Sequence, residues 1–257
     1  MSVYISVVSH GHGDLIEQLS CLKKLAEKFI VVVKINLEEK NLPTYLEQNN
    51  IHYVDGNYGL GFGHNNNIVF SYCWENLDMK EDDFFIVFNP DVLSSTESIE
   101  ELIESMRKEK SGIAAVNLFR DSDYSIPDNS IRIFPSLTQF IKSFLGLGNT
   151  AIIDKSKIKQ KVNIDWAAGS FLAFTASHYA RLKGFDEGYF MYCEDIDICY
   201  RSKVLGVPVI FYPQIKMLHL AEHANRSIFS KHFYWHVNSV IRFLLSKKGF
   251  ARASSSL

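Results

Sequence analysis

The sequence predicts an α/β fold, a single doubly wound and mostly parallel sheet with helices on both faces. Three observations carry that expectation. Apolar runs bounded by turn residues alternate with segments of helical period along residues 1–119, the βαβαβ rhythm of a parallel sheet. Phe84–Phe88 is five apolar residues in a row, which suits a strand buried on both faces. At 257 residues and 47% hydrophobic content the chain can also bury a large core, as one domain or two intimate halves.

Each element follows from the local pattern. Residues 3–8 form an apolar strand, and 14–28 carry Leu15, Leu19, Leu22 and Leu25 at helical spacing before a second strand at 29–35. A short helix over 42–48 leads to a strand at 52–55. A helix over 65–74 then precedes the strand at 84–88. Ser95 or Thr96 caps a helix running to 108, with Ile99, Leu102, Ile103 and Met106 on one face, and 113–119 is again a strand. The second half is less regular. Residues 120–163 read as an insertion with a helix near 137–145, followed by a strand at 171–174, a helix entered at Ser177 and a strand at 207–211. A final helix at 227–245 aligns Phe229, Phe233, Val237, Val240, Ile241 and Leu244 in one stripe, with Lys231, Asn238 and Arg242 opposite. That stripe is read as core packing rather than a membrane face.

Composition narrows the classes. Cys21, Cys73, Cys193 and Cys199 form no C-x-x-C pair, so reduced thiols in a cytosolic protein are expected. The start, Met1-Ser2-Val3-Tyr4, lacks the basic flank and apolar core of a signal peptide, and no apolar run approaches membrane-spanning length. Net charge is −2, but residues 214–257 hold seven basic residues against one acidic. A basic, aromatic-rich end suggests contact with an anionic membrane surface or nucleic acid. Nucleic acid ranks low, because the aromatics fall on the apolar stripe instead of interleaving with the cations.

Three motifs carry chemistry. Glu194, Asp195 and Asp197 put three carboxylates within four residues, directly after the aromatic run of residues 189–192. Such a cluster faces a cation, a proton to be abstracted or hydroxyls to be bound, or else it is an acidic first turn favoured by the helix dipole. Residues 57–67, Asn-Tyr-Gly-Leu-Gly-Phe-Gly-His-Asn-Asn-Asn, place glycines at 59, 61 and 63. That is neither G-x-G-x-x-G nor a P-loop; it is a plain turn or a loop that lets backbone approach a ligand. Asn89-Pro90-Asp91 ends the apolar strand, where open α/β sheets bind ligands, although a strand-terminal Asp also caps turns. The pairs His219/His223 and His232/His236 have the i, i+4 spacing of zinc ligands, but no cysteine or third ligand accompanies them.

In this order the motifs resemble family 2 glycosyltransferases of the GT-A fold. Ser9-His10-Gly11-His12, residues 61–68, 188–198 and Asn225-Arg226-Ser227 are further similar to the O-antigen rhamnosyltransferases that add L-rhamnose to GlcNAc-diphosphoundecaprenol. The resemblance implies a GT-A domain over 1–225, with a nucleotide-sugar-binding half at 1–119 and an acceptor or catalytic half at 120–225. Residues 226–257 would form a basic aromatic helix and tail that can meet the membrane surface. Asp91 and His219 would reach a divalent cation, Mg²⁺ or Mn²⁺, on the diphosphate of a dTDP-sugar donor, with Asn89 a neutral neighbour. Gly61, Gly63 and Asn66 would line the donor site. Asp195 would be the general base, with Glu194 and Asp197 holding acceptor hydroxyls or supporting it, and Arg201 pairing with Asp197. Trp166, Gly169 and Ser170 would line the acceptor pocket.

One departure stands out. Most members carry Asp-Asn after the second strand, the Asp on the nucleobase, whereas this chain reads Val33-Lys34-Ile35-Asn36. Base recognition would then fall to Ser9, His10, Asp55 or Asn57. The expected protein is an inverting, metal-dependent transferase working peripherally at the cytoplasmic face of the bacterial inner membrane. The same fold with another donor or lipid-linked acceptor stays open. So does an inert nucleotide-sugar-binding module, although Asp91, Asp195 and His219 together argue against it.

Overall fold

The computed structural model describes residues 1–136, 138–140, 151–220 and 231–257. Most of the helix expected near 137–145, together with His223, Asn225-Arg226-Ser227 and Phe229, lies outside them.

Phe84, Ile86 and Phe88 pack into one apolar cluster, and Phe85 and Val87 into the other. A strand's side chains alternate faces, so a wholly apolar strand must be covered on both. The strands are β1 (Val3–Ser9), β2 (Ile30–Ile35), β3 (His52–Val54), β4 (Phe84–Phe88), β5 (Val92–Leu93), β6 (Ile113–Phe119), β7 (Ile131–Arg132), β8 (Val162–Ile164), β9 (Trp166–Ala167), β10 (Phe171–Thr175) and β11 (Val209–His219). Among the described residues the main sheet runs β3-β2-β1-β4-β10-β6-β11-β5, with β8 beside β11. The run β3-β2-β1-β4 is parallel, as is β6 with β11. Between these blocks β10 lies antiparallel to both β4 and β6. The small pair β7–β9 stands apart.

This order positions the site. β1 has β2 on one side and β4 on the other, so the chain reverses its direction of travel across the sheet there. The carboxyl ends of β1 and β4 therefore flank the crevice in which such sheets bind ligands. β10 enters from the opposite direction, and its first residue, Phe171, is paired with Phe88, the last residue of β4. Antiparallel pairing thus brings the turn before β10 to the same end of the sheet as Asn89-Pro90-Asp91.

Several expected boundaries move, each for a local reason. The helix expected over 14–28 is two helices, Gly13–Leu19 and Cys21–Ala26, broken where Ser20 takes φ 51°. The helix after the glycine loop begins at Phe62 and ends at Asn76, because extended Gly61 serves as its N-cap. Thr175, not Ser177, caps the next helix, its side chain accepting from the His178 N–H. β11 is far longer than residues 207–211; it continues past a register shift between Tyr212 and Lys216 to reach His219.

The last helix, Lys231–Lys247, corrects the expected stripe. Its buried residues are Ser239, Val240 and Phe243, and Arg242 turns inward to form a two-pronged pair with buried Asp186 at 2.7 and 2.9 Å. Ile241 and Phe233, expected in the core, are exposed along with Tyr234 and Leu245. The guanidinium wins the inward position because Asp186, already buried, needs a partner.

Candidate active site

His219 closes β11 and is in register with Val92 of β5, which sets its ring beside Asp91. Its Nε2 lies 3.4 Å from Asp91 Oδ2 and its Nδ1 2.6 Å from Asp128 Oδ2. Burial alone would lower the His219 pKa, but hydrogen bonds to Asp128 and Asp91 and their charges outweigh it and lift it to about 9. Burial would likewise raise both carboxylates, and His219 reverses this, holding each below its usual range. Asp91 Oδ1 is buried with no hydrogen-bond partner among the described residues. An unpaired buried carboxylate oxygen is costly, and a hard cation is the partner that suits it. Asp91 and His219 could hold a divalent metal there only with its other positions left to oxygens of a ligand. No group of three or more His, Cys, Asp or Glu among the described residues is arranged to hold a metal unaided.

The acidic motif opens the helix Glu194–Val204, entered through Cys193 at φ 64°. Asp195 Oδ2 accepts from the Gly169 N–H at 3.1 Å, and Oδ1 from the Ile196 N–H at 2.8 Å. Burial still leaves its pKa above the ordinary carboxylate value, despite these donors. Glu194 is buried beside it with Oε2 unpaired among the described residues; burial first, then the Asp195 charge, lifts it to about 8. Two neighbouring acids in unlike environments let one keep a proton while the other accepts one.

The two halves meet through the backbone. The Asn89 N–H donates to the Ser170 carbonyl at 3.0 Å, and Gly169, the preceding residue, donates to Asp195. Ser170 Oγ is buried and unpaired among the described residues. A Cβ at Gly169 would stand 3.1 Å from the Phe62 ring and 3.6 Å from Asp195 Cβ, so glycine keeps the carboxylate within reach.

Not every expected residue opens onto this crevice. Asn66 is wholly buried; its amide donates to the Phe62 carbonyl and its Oδ1 accepts from Ser6, leaving little to offer a donor. Gly61 and Gly63 serve packing: a Cβ at Gly61 would stand 2.5 Å from the Phe190 carbonyl, and one at Gly63 would stand 2.6 Å from Phe185 Cβ. Trp166 is buried, with its indole N–H on the Ile133 carbonyl and the Arg132 guanidinium 5.3 Å from its ring centre. Asp197 is fully buried and ion-paired with Arg201 at 2.6 Å, which makes it an internal brace.

At the base-recognition end, Ser9 Oγ donates to Glu39 at 2.6 Å, and the N–H groups of Gly11 and Gly13 reach the same carboxylate. His10 and Asp55 are exposed, as is Asn57 at φ 48°, and Asp55 accepts from Tyr58. Asn36, standing after the departed acid, pins the glycine loop by exchanging hydrogen bonds with the Leu60 N–H and carbonyl. Sequence reasoning missed both Glu39 and Asp128. Each sits in a loop without a distinguishing pattern, and only proximity in space reveals it.

The crevice at the β1/β4 reversal, an Asp–His pair and a carboxylate on a neighbouring helix define a GT-A glycosyltransferase. Solved structures agree on the fold. GalNAc-T7 with UDP, GalNAc and Mn²⁺ aligns at TM-score 0.60 and 12% identity, over 95% of this chain and 47% of that one. S. aureus TarS 1-349 in complex with UDP aligns at 0.59 and 13%, over 100% and 68%. No family profile matches the chain. Sequence relatives are more specific. Rhamnosyltransferase WbbL of Escherichia coli (strain K12) is 39% identical over 261 residues, covering 98% of each chain. N-acetylglucosaminyl-diphospho-decaprenol L-rhamnosyltransferase of Mycobacterium tuberculosis (strain H37Rv) is 31% identical over 180 residues, 67% of this chain and 58% of the relative. The chain belongs to the family 2 rhamnosyltransferases.

Proposed function

We propose that this enzyme transfers L-rhamnose from dTDP-β-L-rhamnose to GlcNAc-diphosphoundecaprenol, with inversion, in O-antigen assembly. The observation that carries the reading is Asp91 Oδ1 beside His219, unpaired among the described residues and linked to Asp195 through Asn89, Ser170 and Gly169. Asp91 and His219 would hold Mg²⁺ or Mn²⁺ there. When bound, the cation supplies Lewis-acid stabilisation of diphosphate charge. Asp195 takes the proton of the acceptor hydroxyl; that oxygen bonds to the anomeric carbon as the bond to the diphosphate breaks, converting a β donor into an α product. Gly169 and Ile196 hold the Asp195 carboxylate in place, and Glu194 and Ser170 line its surroundings. Base recognition is assigned to Ser9, His10, Asp55 and Asn57. The lipid-linked acceptor finds support in the relative whose name carries a diphospho-decaprenol acceptor.

Among the described residues no helix is long and apolar enough to cross a membrane. Contact with the anionic cytoplasmic face of the inner membrane is assigned to the last helix and tail. Tyr234 and Phe250 are 66% and 77% exposed there, amid exposed Lys231, Lys247 and Lys248, a combination that suits anionic lipid. The test is turnover of dTDP-rhamnose on a synthetic GlcNAc-diphosphoryl lipid, with Mn²⁺ and with EDTA. Rhamnosylated lipid formed only with metal is the expected result; product formed equally in EDTA sinks the metal assignment, and no product from this donor sinks the sugar.

A further inference from the structure

Building on the metal-dependent reading above, we propose that Asp128 is the positioning residue that presents His219 to the donor's cation. The His219 ring is gripped from both sides: Nδ1 lies 2.6 Å from Asp128, while Nε2 faces Asp91 at 3.4 Å. When a cation displaces the Nε2 proton, an imidazole whose Nδ1–H is spent on a carboxylate presents its Nε2 lone pair to the metal, with its ring plane fixed and its basicity raised. Nε2 is the nitrogen beside the carboxylate whose other oxygen has no partner among the described residues.

Asp128 is itself fixed. Its N–H donates to the Leu118 carbonyl at 3.0 Å, and the preceding Pro127 forms a bridge with Phe119. Leu118 and Phe119 are in register with Met217 and Leu218 on β11, so Asp128 and His219 hang from neighbouring strands of one frame. Lys155 braces the far side: it is buried, and its Nζ donates to the same Leu118 carbonyl at 2.6 Å. The arrangement gives Asp128 a definite place behind the histidine, with no contact to the crevice required.

The proposal is tested on the full chain by binding of Mn²⁺, followed through water proton relaxation, with Mg²⁺ as competitor. Because Asp128 acts through a nitrogen ligand, Asp128→Asn must weaken Mn²⁺ by about 10–100-fold. Mg²⁺, which favours oxygen ligands, must weaken by clearly less, so the Mn²⁺/Mg²⁺ preference falls. Unchanged Mn²⁺ affinity overturns the role of Asp128 and leaves the cation site standing. Equal loss for both metals assigns Asp128 a merely structural part and also overturns it. No Mn²⁺ binding by the wild type overturns the metal reading and this inference together. If Asp128→Asn does not fold, electron spin-echo modulation of Mn²⁺ bound to the wild type decides: an imidazole nitrogen must appear, and its absence overturns the proposal.

Discussion

Asn89 and Ser170 are joined by one backbone hydrogen bond of 3.0 Å, and through it the Asn89-Pro90-Asp91 turn and the Gly169-Ser170 turn share a frame. Asn89 follows β4 and Ser170 precedes β10, so their antiparallel pairing sets the separation of Asp91 from Asp195. The Asn89–Ser170 bond is backbone to backbone, so a change of the Asp91 side chain leaves it in place.

Asp195→Asn is expected to lower turnover by about 10²–10⁴-fold while donor binding stays largely intact, because the amide cannot take the proton. Loss of donor affinity in a folded variant, measured by calorimetry, would contradict the assignment. As the proposed base, Asp195 must be ionised in the wild type, and burial raises its pKa. Activity should thus fall as pH drops through a midpoint above the ordinary carboxylate range.

Asp91→Asn would leave a neutral oxygen at the proposed cation site, and turnover should fall by about 10²–10³-fold. Donor binding should weaken with it, unlike the Asp195 variant. Calorimetric titration with the donor and Mn²⁺ separates the two; intact donor affinity would place the diphosphate elsewhere.

Glu194 links stability to pH. Its folded pKa, about 8, lies above its ordinary 4.5, so the folded state binds the proton more tightly. That contribution is complete below the unfolded pKa and is lost as pH rises toward 8. Glu194→Gln should match the wild type near pH 4 and exceed it by about 1 kcal/mol or more at pH 9. A gap in denaturant midpoints that does not grow with pH would refute this.

Arg201→Ala strands a charge. Arg201 binds fully buried Asp197 and also donates to the Leu182 and Gly184 carbonyls. Removing one partner of a buried pair costs about 3–5 kcal/mol, to be read from urea unfolding. A loss below about 1 kcal/mol, the range of exposed pairs, would show that the pair is solvated.

Tyr234→Ser combined with Phe250→Ser should reduce sedimentation with anionic vesicles several-fold, since both side chains are largely exposed and apolar burial adds to charge attraction. Wild-type binding should weaken with salt. Salt-insensitive binding, or none to anionic vesicles, would overturn the proposed membrane contact of the last helix.

Legibility in the sequence tracked how local the cause was. Phe84–Phe88 and Ile113–Phe119 are strands with the expected bounds, because an apolar run, interrupted in the second only by Asn117, can be satisfied only by cover on both faces. Ser95 caps its helix through the Ser98 N–H, a contact three residues away. The Arg201–Asp197 pair was likewise visible as one turn of helix. Asn66, Gly63 and Trp166 misled because amides, glycines and indoles serve packing as readily as ligands. What covers them, Ser6, Phe185 and Arg132, is fixed by the fold.

The α/β class, the placing of Asp91 after a buried strand and the opening of a helix by Glu194, Asp195 and Asp197 are legible along the chain. These follow from periodicity, turn chemistry and burial over a few neighbouring residues. That His219 faces Asp91 and Asp128 together, that Arg242 turns inward to Asp186, and that Glu39 takes the Ser9 hydroxyl emerge only in the folded chain. The physical reason is that strand register and the pairing of buried charges are set by the whole sheet, between residues far apart in the chain.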